Sequence, residues 1–190
     1  MADWLAFYRT PLGRKLAAAD ERAASPAFQS MLMEQAPQVM ATLSEDVSRM
    51  ALIQSLLQAT DSVEQSTNLV LQTQLALVWG LISTSPQAEG KPTFEELKRD
   101  INEQRFALRA QMAQMGLVHA AVAYHEFSQQ ELGLMLRRAN SPVGKALYVD
   151  FSRRLNQTLA VFAEKIGQAA GRRLAEQPAG KARGGERPPI

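Results

Sequence analysis

The stretch YRTPLGRK (Tyr8–Lys15) decides the fold. Thr10 is a capping hydroxyl placed before a proline, and Pro11 opens a helix. It gives up only an N–H that would have no partner there, and its ring presets φ. Proline also disfavours helical geometry at the residue before it, so an incoming helix must end and turn. Gly13 falls at the third helical position, where a side chain would meet the arriving helix. Near the other end the turn recurs as NSPVGKAL (Asn140–Leu147), with Ser141, Pro142 and Gly144 in the same places. Thr10, Pro11, Gly13, Ser141, Pro142 and Gly144 are thus read as two tight helix–helix corners. Helix-start N–H groups with Arg14 or Lys145 one turn in could instead hold a carboxylate or phosphate. The capping hydroxyls compete for that position, which favours the structural reading.

Other helix starts are written as plainly. Ser25-Pro26 repeats the hydroxyl–proline signal, and Asp61-x-x-Glu64, Thr93-x-x-Glu96 and Ser128-x-x-Glu131 have the spacing of capping boxes. Phe94, Leu97, Ile101, Leu108, Met112 and Met115 form one apolar stripe at helical spacing. Val143, Leu147, Phe151, Leu155, Leu159, Phe162 and Ile166 form another. No stretch alternates as a half-buried strand does. These signals predict helices over 2–9, 11–23, 26–58 with a bend at Pro37, 61–84, 94–126, 129–139 and 142–174. The expected fold is all-α, a bundle of six to seven helices in one domain over 1–175. SPQAEGKP (Ser85–Pro92) reads as a loop. Residues 176–190, rich in Gly, Pro and Arg, read as a disordered basic tail.

The sequence pI near 9.1 invites a nucleic-acid reading that the charge distribution does not favour. Residues 171–190 hold five Lys or Arg against two Glu. The whole chain is +2, so residues 1–170 come to −1. Read along the chain, basicity belongs to the tail, and no nucleic-acid partner is expected. With no cysteine, disulfides, thiolate metal sites and cysteine nucleophiles drop out. MADWLAFYRT (Met1–Thr10) lacks the layout of a signal peptide. LVLQTQLALVWGLI (Leu69–Ile82) is too short and too polar to span a bilayer, so it predicts a buried core helix and no transmembrane segment.

Catalytic patterns are equally scarce. His119 and His125, six residues apart on one helix, point in different directions and cannot share a metal. Glu95, Glu96, Asp100 and Glu103 are interleaved with Lys98, Arg99 and Arg105, which makes a solvated mixed-charge face. No nucleophile elbow, phosphate loop or dinucleotide fingerprint occurs. The expectation is a non-catalytic protein with no cofactor and no metal. Its methionines and leucines either fill the core or line a groove between helices for a protein partner or a hydrophobic ligand. A cytoplasmic adaptor that forms a homodimer through the stripe of 142–174 is the alternative.

Two segments resemble a family. Tyr124, Phe127, Ser128, Glu131 and Leu132, followed by Ser141-Pro142, Gly144 and Lys145, are similar to the signature of the bacterial domain of unknown function 2059. That signature runs from an aromatic residue through F-[ST]-x-x-E-L to F-Y-x-[ST]-P-x-G-[KR]. Leu5, Phe7-Tyr8, Thr10-Pro11, Gly13 and Arg14 resemble the end of a first copy, suggesting an internal repeat of 1–58 and 124–175. Arg138-Ala139 stands where the family has Phe-Tyr, and nothing upstream of Trp4 supplies the first F-[ST]-x-x-E-L. The chain is therefore expected to begin late, with a signal peptide missing. The resemblance implies a periplasmic or secreted helical protein and brings no activity.

Overall fold

Both proline signals open helices. The computed structural model describes residues 2–85 and 90–176, with side chains from Leu5 onward. Among these residues there are nine helices and no strand. They are α1 (Ala2–Tyr8), α2 (Pro11–Ala23), α3 (Pro26–Glu45), α4 (Val47–Ala59), α5 (Ser62–Thr84), α6 (Phe94–Glu103), α7 (Arg105–Ala123), α8 (Gln129–Ala139) and α9 (Pro142–Glu176). The fold is an all-α multi-helix bundle. From Gln177 onward the expected tail lies outside the described residues, as do 86–89 of the expected loop.

Two helices read as single from the sequence are each divided. The helix expected over 26–58 is divided at Asp46. Pro37 sits inside α3 on an exposed face, and Met33, whose carbonyl loses its donor, is exposed too. At Asp46 a carboxylate oxygen accepts from the Arg49 N–H at 2.9 Å and starts α4. That cap escapes a search for capping boxes because its third helical residue is arginine. The other break, at Gln104, separates α6 from α7. The Thr93–Glu96 and Ser128–Glu131 boxes both close. Asp61 does not form the expected box. It takes φ 52°, in the left-handed region, while Glu64 pairs with Arg105 at 2.5 Å.

The contacts of the chain gather in two units, where the sequence suggests one domain over 1–175. The first comprises Met1–Asn68 and Arg105–Arg154, the second Leu69–Gln104 and Leu155–Ile190. In the first, α3 packs on α7 and α4 on α8 around Ile53, Phe127 and Leu132, all fully buried. In the second, α5 and α9 meet through glycine. A Cβ on Gly80 would strike the Glu164 carbonyl oxygen, and one on Gly167 the Leu77 carbonyl oxygen. The face of α9 turned inward in that unit is thus its smallest, Ala163, Gly167 and Gly171. The stripe of large apolar residues on the same helix is exposed: Phe151 at 62%, Phe162 at 60% and Ile166 at 61%. Hydrophobic spacing located a face of α9, but close backbone packing selected a neighbouring one.

The two corners have one geometry. The Thr10 hydroxyl donates to the Phe7 carbonyl at 2.7 Å and accepts the Gly13 N–H at 3.1 Å. The Ser141 hydroxyl donates to the Arg138 carbonyl at 2.7 Å and accepts the Gly144 N–H at 3.0 Å. A Cβ on Gly13 would collide with the Phe7 carbonyl oxygen, and one on Gly144 with that of Arg138. Neither oxygen can retreat without unwinding the preceding helix. Gly13→Ala and Gly144→Ala should therefore each cost about 1–3 kcal/mol, and Ser141→Ala about 1 kcal/mol through the lost cap. Urea midpoints lowered at unchanged slope are the expected result; curves overlying the parent would contradict the close contact.

Candidate functional site

The six corner residues come into one neighbourhood through the α7–α8 junction, Tyr124–Ser128. Arg49, half-buried at the start of α4, donates to three carbonyls there: Phe127 at 2.6 Å, Tyr124 at 2.7 Å and His125 at 2.8 Å. A guanidinium suits this place because its donors form a rigid planar fork and its charge meets the negative end of α7. Asp46, which caps α4, accepts from Gln129 at 3.0 and 3.1 Å, so α4 and α8 are pinned at adjoining points. From α2, Lys15 donates to the Glu126 carbonyl at 3.0 Å and to both Glu131 oxygens at 2.9 and 3.0 Å. Its ammonium lies 4.5 Å from the centroid of the Phe127 ring. Arg22 and Glu126 close a further pair between α2 and the junction at 3.2 Å.

Held in this way, α2 and α8 carry their corners to the two sides of a cleft of roughly 660 Å³. Phe7, Thr10, Pro11 and Leu12 line it from the α1–α2 corner; Leu134, Arg137, Arg138 and Ser141 line it from the α8–α9 corner. The Arg138 guanidinium stacks 4.5 Å from the Phe7 ring centroid, tying the walls together. Thr10, Pro11 and Ser141 thus reach the surface of the cleft. Gly13 and Gly144, both buried, hold the backbones that shape it. The hydroxyls of Thr10 and Ser141 are engaged by their own helices, so they cap rather than present a free anion cradle.

Polar side chains of α2, α7 and the first turns of α9 also cluster in this unit. The Tyr124 hydroxyl donates to Asp20 at 3.1 Å. Partial burial holds the Asp20 carboxyl above its usual range, against the lowering effect of that hydrogen bond and of His119. Burial raises Tyr124 far beyond the usual phenol range, and it pushes Tyr148 up to about 12, reinforced by Tyr8 and Asp20. Tyr8 is raised by burial and by Asp20, with Arg138 opposing. These phenols stay protonated at neutral pH. His119 stacks on Phe28 at 4.7 Å, and burial lowers its pKa despite the opposing Asp20. His125 is turned to the Val122 carbonyl at 2.8 Å. The two histidines have separate surroundings. Among the described residues no group of three or more His, Asp or Glu side chains comes together to hold a metal.

The cleft was not legible as such. Corner spacing showed two bends without showing that they face one another, and charge was read along the chain rather than across the fold. Segments 5–19 and 132–149 contain Arg9, Arg14, Lys15, Arg137, Arg138 and Lys145 and no Asp or Glu. Only their juxtaposition makes the absence of acid meaningful. A zero-acid count in both arms of a repeated corner was the available signal.

No family model, curated protein or solved structure matches the chain.

The link between α2 and α8 titrates. Glu131 has its pKa lowered first by hydrogen bonding to Lys15 and then by the Ser128 N–H, from an ordinary value of 4.5. A carboxylate held below its ordinary value adds stability above that value, and the gain is lost as pH falls through the folded-state pKa. Glu131→Gln keeps a residue able to complete the capping box but removes the charge. The variant should melt below the parent at neutral pH and converge with it toward pH 3. A constant gap in Tm across that range would show that the Lys15 pair does not contribute through ionisation.

Proposed function

We propose that this chain is a non-catalytic binding protein that takes an apolar ligand in the cleft between its two corners. The observation that supports this is the cleft itself, whose 660 Å³ lies in the range of small-molecule sites. Phe7, Pro11, Leu12 and Leu134 give it apolar walls, and a few polar groups can fix orientation. The phenols nearby are held protonated and Tyr124 is engaged with Asp20, which suits holding a ligand more than transforming it. The likeness of Phe127, Ser128, Glu131, Leu132, Ser141, Pro142 and Gly144 to the domain of unknown function 2059 supports a periplasmic or secreted setting. In this structure those residues build the junction and the second corner, so the likeness concerns the scaffold of the proposed site.

Nile red, a neutral dye whose emission shifts in apolar surroundings, tests the site. It should bind the full chain at one saturable site. Leu134→Glu, at a position 42% exposed, should abolish that binding while leaving the helical circular dichroism and Tm close to the parent. No dye binding by the parent, or equal binding by the variant, would sink the proposal.

A second reading has its own support in the exposed stripe of α9. Leu155, Phe162 and Ile166, at helical spacing in the second unit, are all exposed. Exposed large apolar side chains grouped in this way are characteristic of association surfaces. The reading is a homodimer in which the stripe pairs with its copy. Light scattering should then give twice the chain mass, falling to the monomer in Phe162→Glu/Ile166→Glu. A parent that remains monomeric at every accessible concentration would remove it.

A further inference from the structure

Arg137, which lines the cleft, has no counterpart in the proposal so far. Arg9, Arg14, Arg137 and Lys145 form no ion pair among the described residues, although five other basic side chains of the same unit (Lys15, Arg22, Arg105, Arg109 and Arg153) do. Arg137 is the most informative, since it lines the cleft together with apolar residues, and neither lining segment holds a carboxylate. An anionic group on a ligand could accept a charge-assisted hydrogen bond from its guanidinium, one of the strong kinds.

We propose that the ligand of this cleft is an anionic amphiphile: a single alkyl chain ending in a carboxylate, its tail against Phe7, Pro11, Leu12 and Leu134 and its head at Arg137. The proposal rests on the cleft being the binding site. Three alternatives fit less well. A neutral hydrocarbon would leave Arg137 unused. A small inorganic anion would leave the apolar walls unused, and at each corner the glycine N–H, of Gly13 or Gly144, is already taken by the capping hydroxyl. A nucleobase would need an open aromatic face, and Arg138 covers that of Phe7.

Chain-matched dodecanoate and dodecanol, each below its aggregation threshold, separate head from tail. Both should displace Nile red from the full-length protein, dodecanoate at roughly tenfold lower concentration, the size expected of one charge-assisted contact. Arg137→Ala should erase that advantage and leave dodecanol unchanged, and added salt should weaken dodecanoate alone. Equal displacement by the two, unaffected by Arg137→Ala, would overturn the anionic ligand while leaving an apolar cleft. Failure of Nile red itself to bind would instead remove the underlying site. Binding of the protein to phosphatidylglycerol vesicles without displacement by monomeric dodecanoate would also overturn it, in favour of a membrane surface.

Discussion

One guanidinium holds the first unit together. Arg49 gives its donors to the carbonyls of Tyr124, His125 and Phe127, the groups left over where α7 ends and α8 has not begun. Without a donor those oxygens would keep the junction near water and Phe127 away from the centre. With it, the chain can turn in a few residues and place Phe127 and Leu132 in the core. Because α4 itself starts at Asp46, which Gln129 also grips, the donor and its acceptors are tied together at a second point. Removing one partner of such an arrangement strands the rest, which is why buried charged donors matter more in their loss than in their net contribution.

From that junction the geometry of the cleft follows. Lys15 reaches both the Glu126 carbonyl and the Glu131 carboxylate, so α2 is docked beside the junction that Arg49 secures. The corner at the start of α2 and the corner at the end of α8 then stand opposite each other. Each is kept tight by a hydroxyl that serves two helices and a glycine that lets backbone touch backbone. The shape of the proposed site is thus set by main-chain contacts, with side chains supplying only its lining.

Much of this architecture can be read from the letters, and the misses share a cause. Hydroxyl–proline pairs and two capping boxes marked helix starts because those signals are local. Asp46 was overlooked because its cap has arginine at the third helical position, the same arginine whose side chain is committed to the junction 75 to 78 residues away. The orientation of α9 was not legible because periodicity reports which residues share a face, not which face finds a neighbour. In the second unit the neighbour came to the glycines. Nor does linear charge counting reveal that two acid-free segments lie side by side, since that is a statement about pairs of positions far apart.

The glycine seam of the second unit has a thermodynamic consequence. Its buried apolar side chains among the described residues are Leu71, Ile101 and Ala163, while Leu77, Leu155, Phe162 and Ile166 stay exposed. Where glycine brings backbone to backbone, dispersion between closely fitted main-chain atoms carries part of the cohesion. Since the heat capacity of unfolding tracks newly hydrated apolar area, a seam of glycine and alanine adds less to it than a seam of large side chains would. Cooling therefore weakens such a seam less than it weakens contacts like those around Phe127.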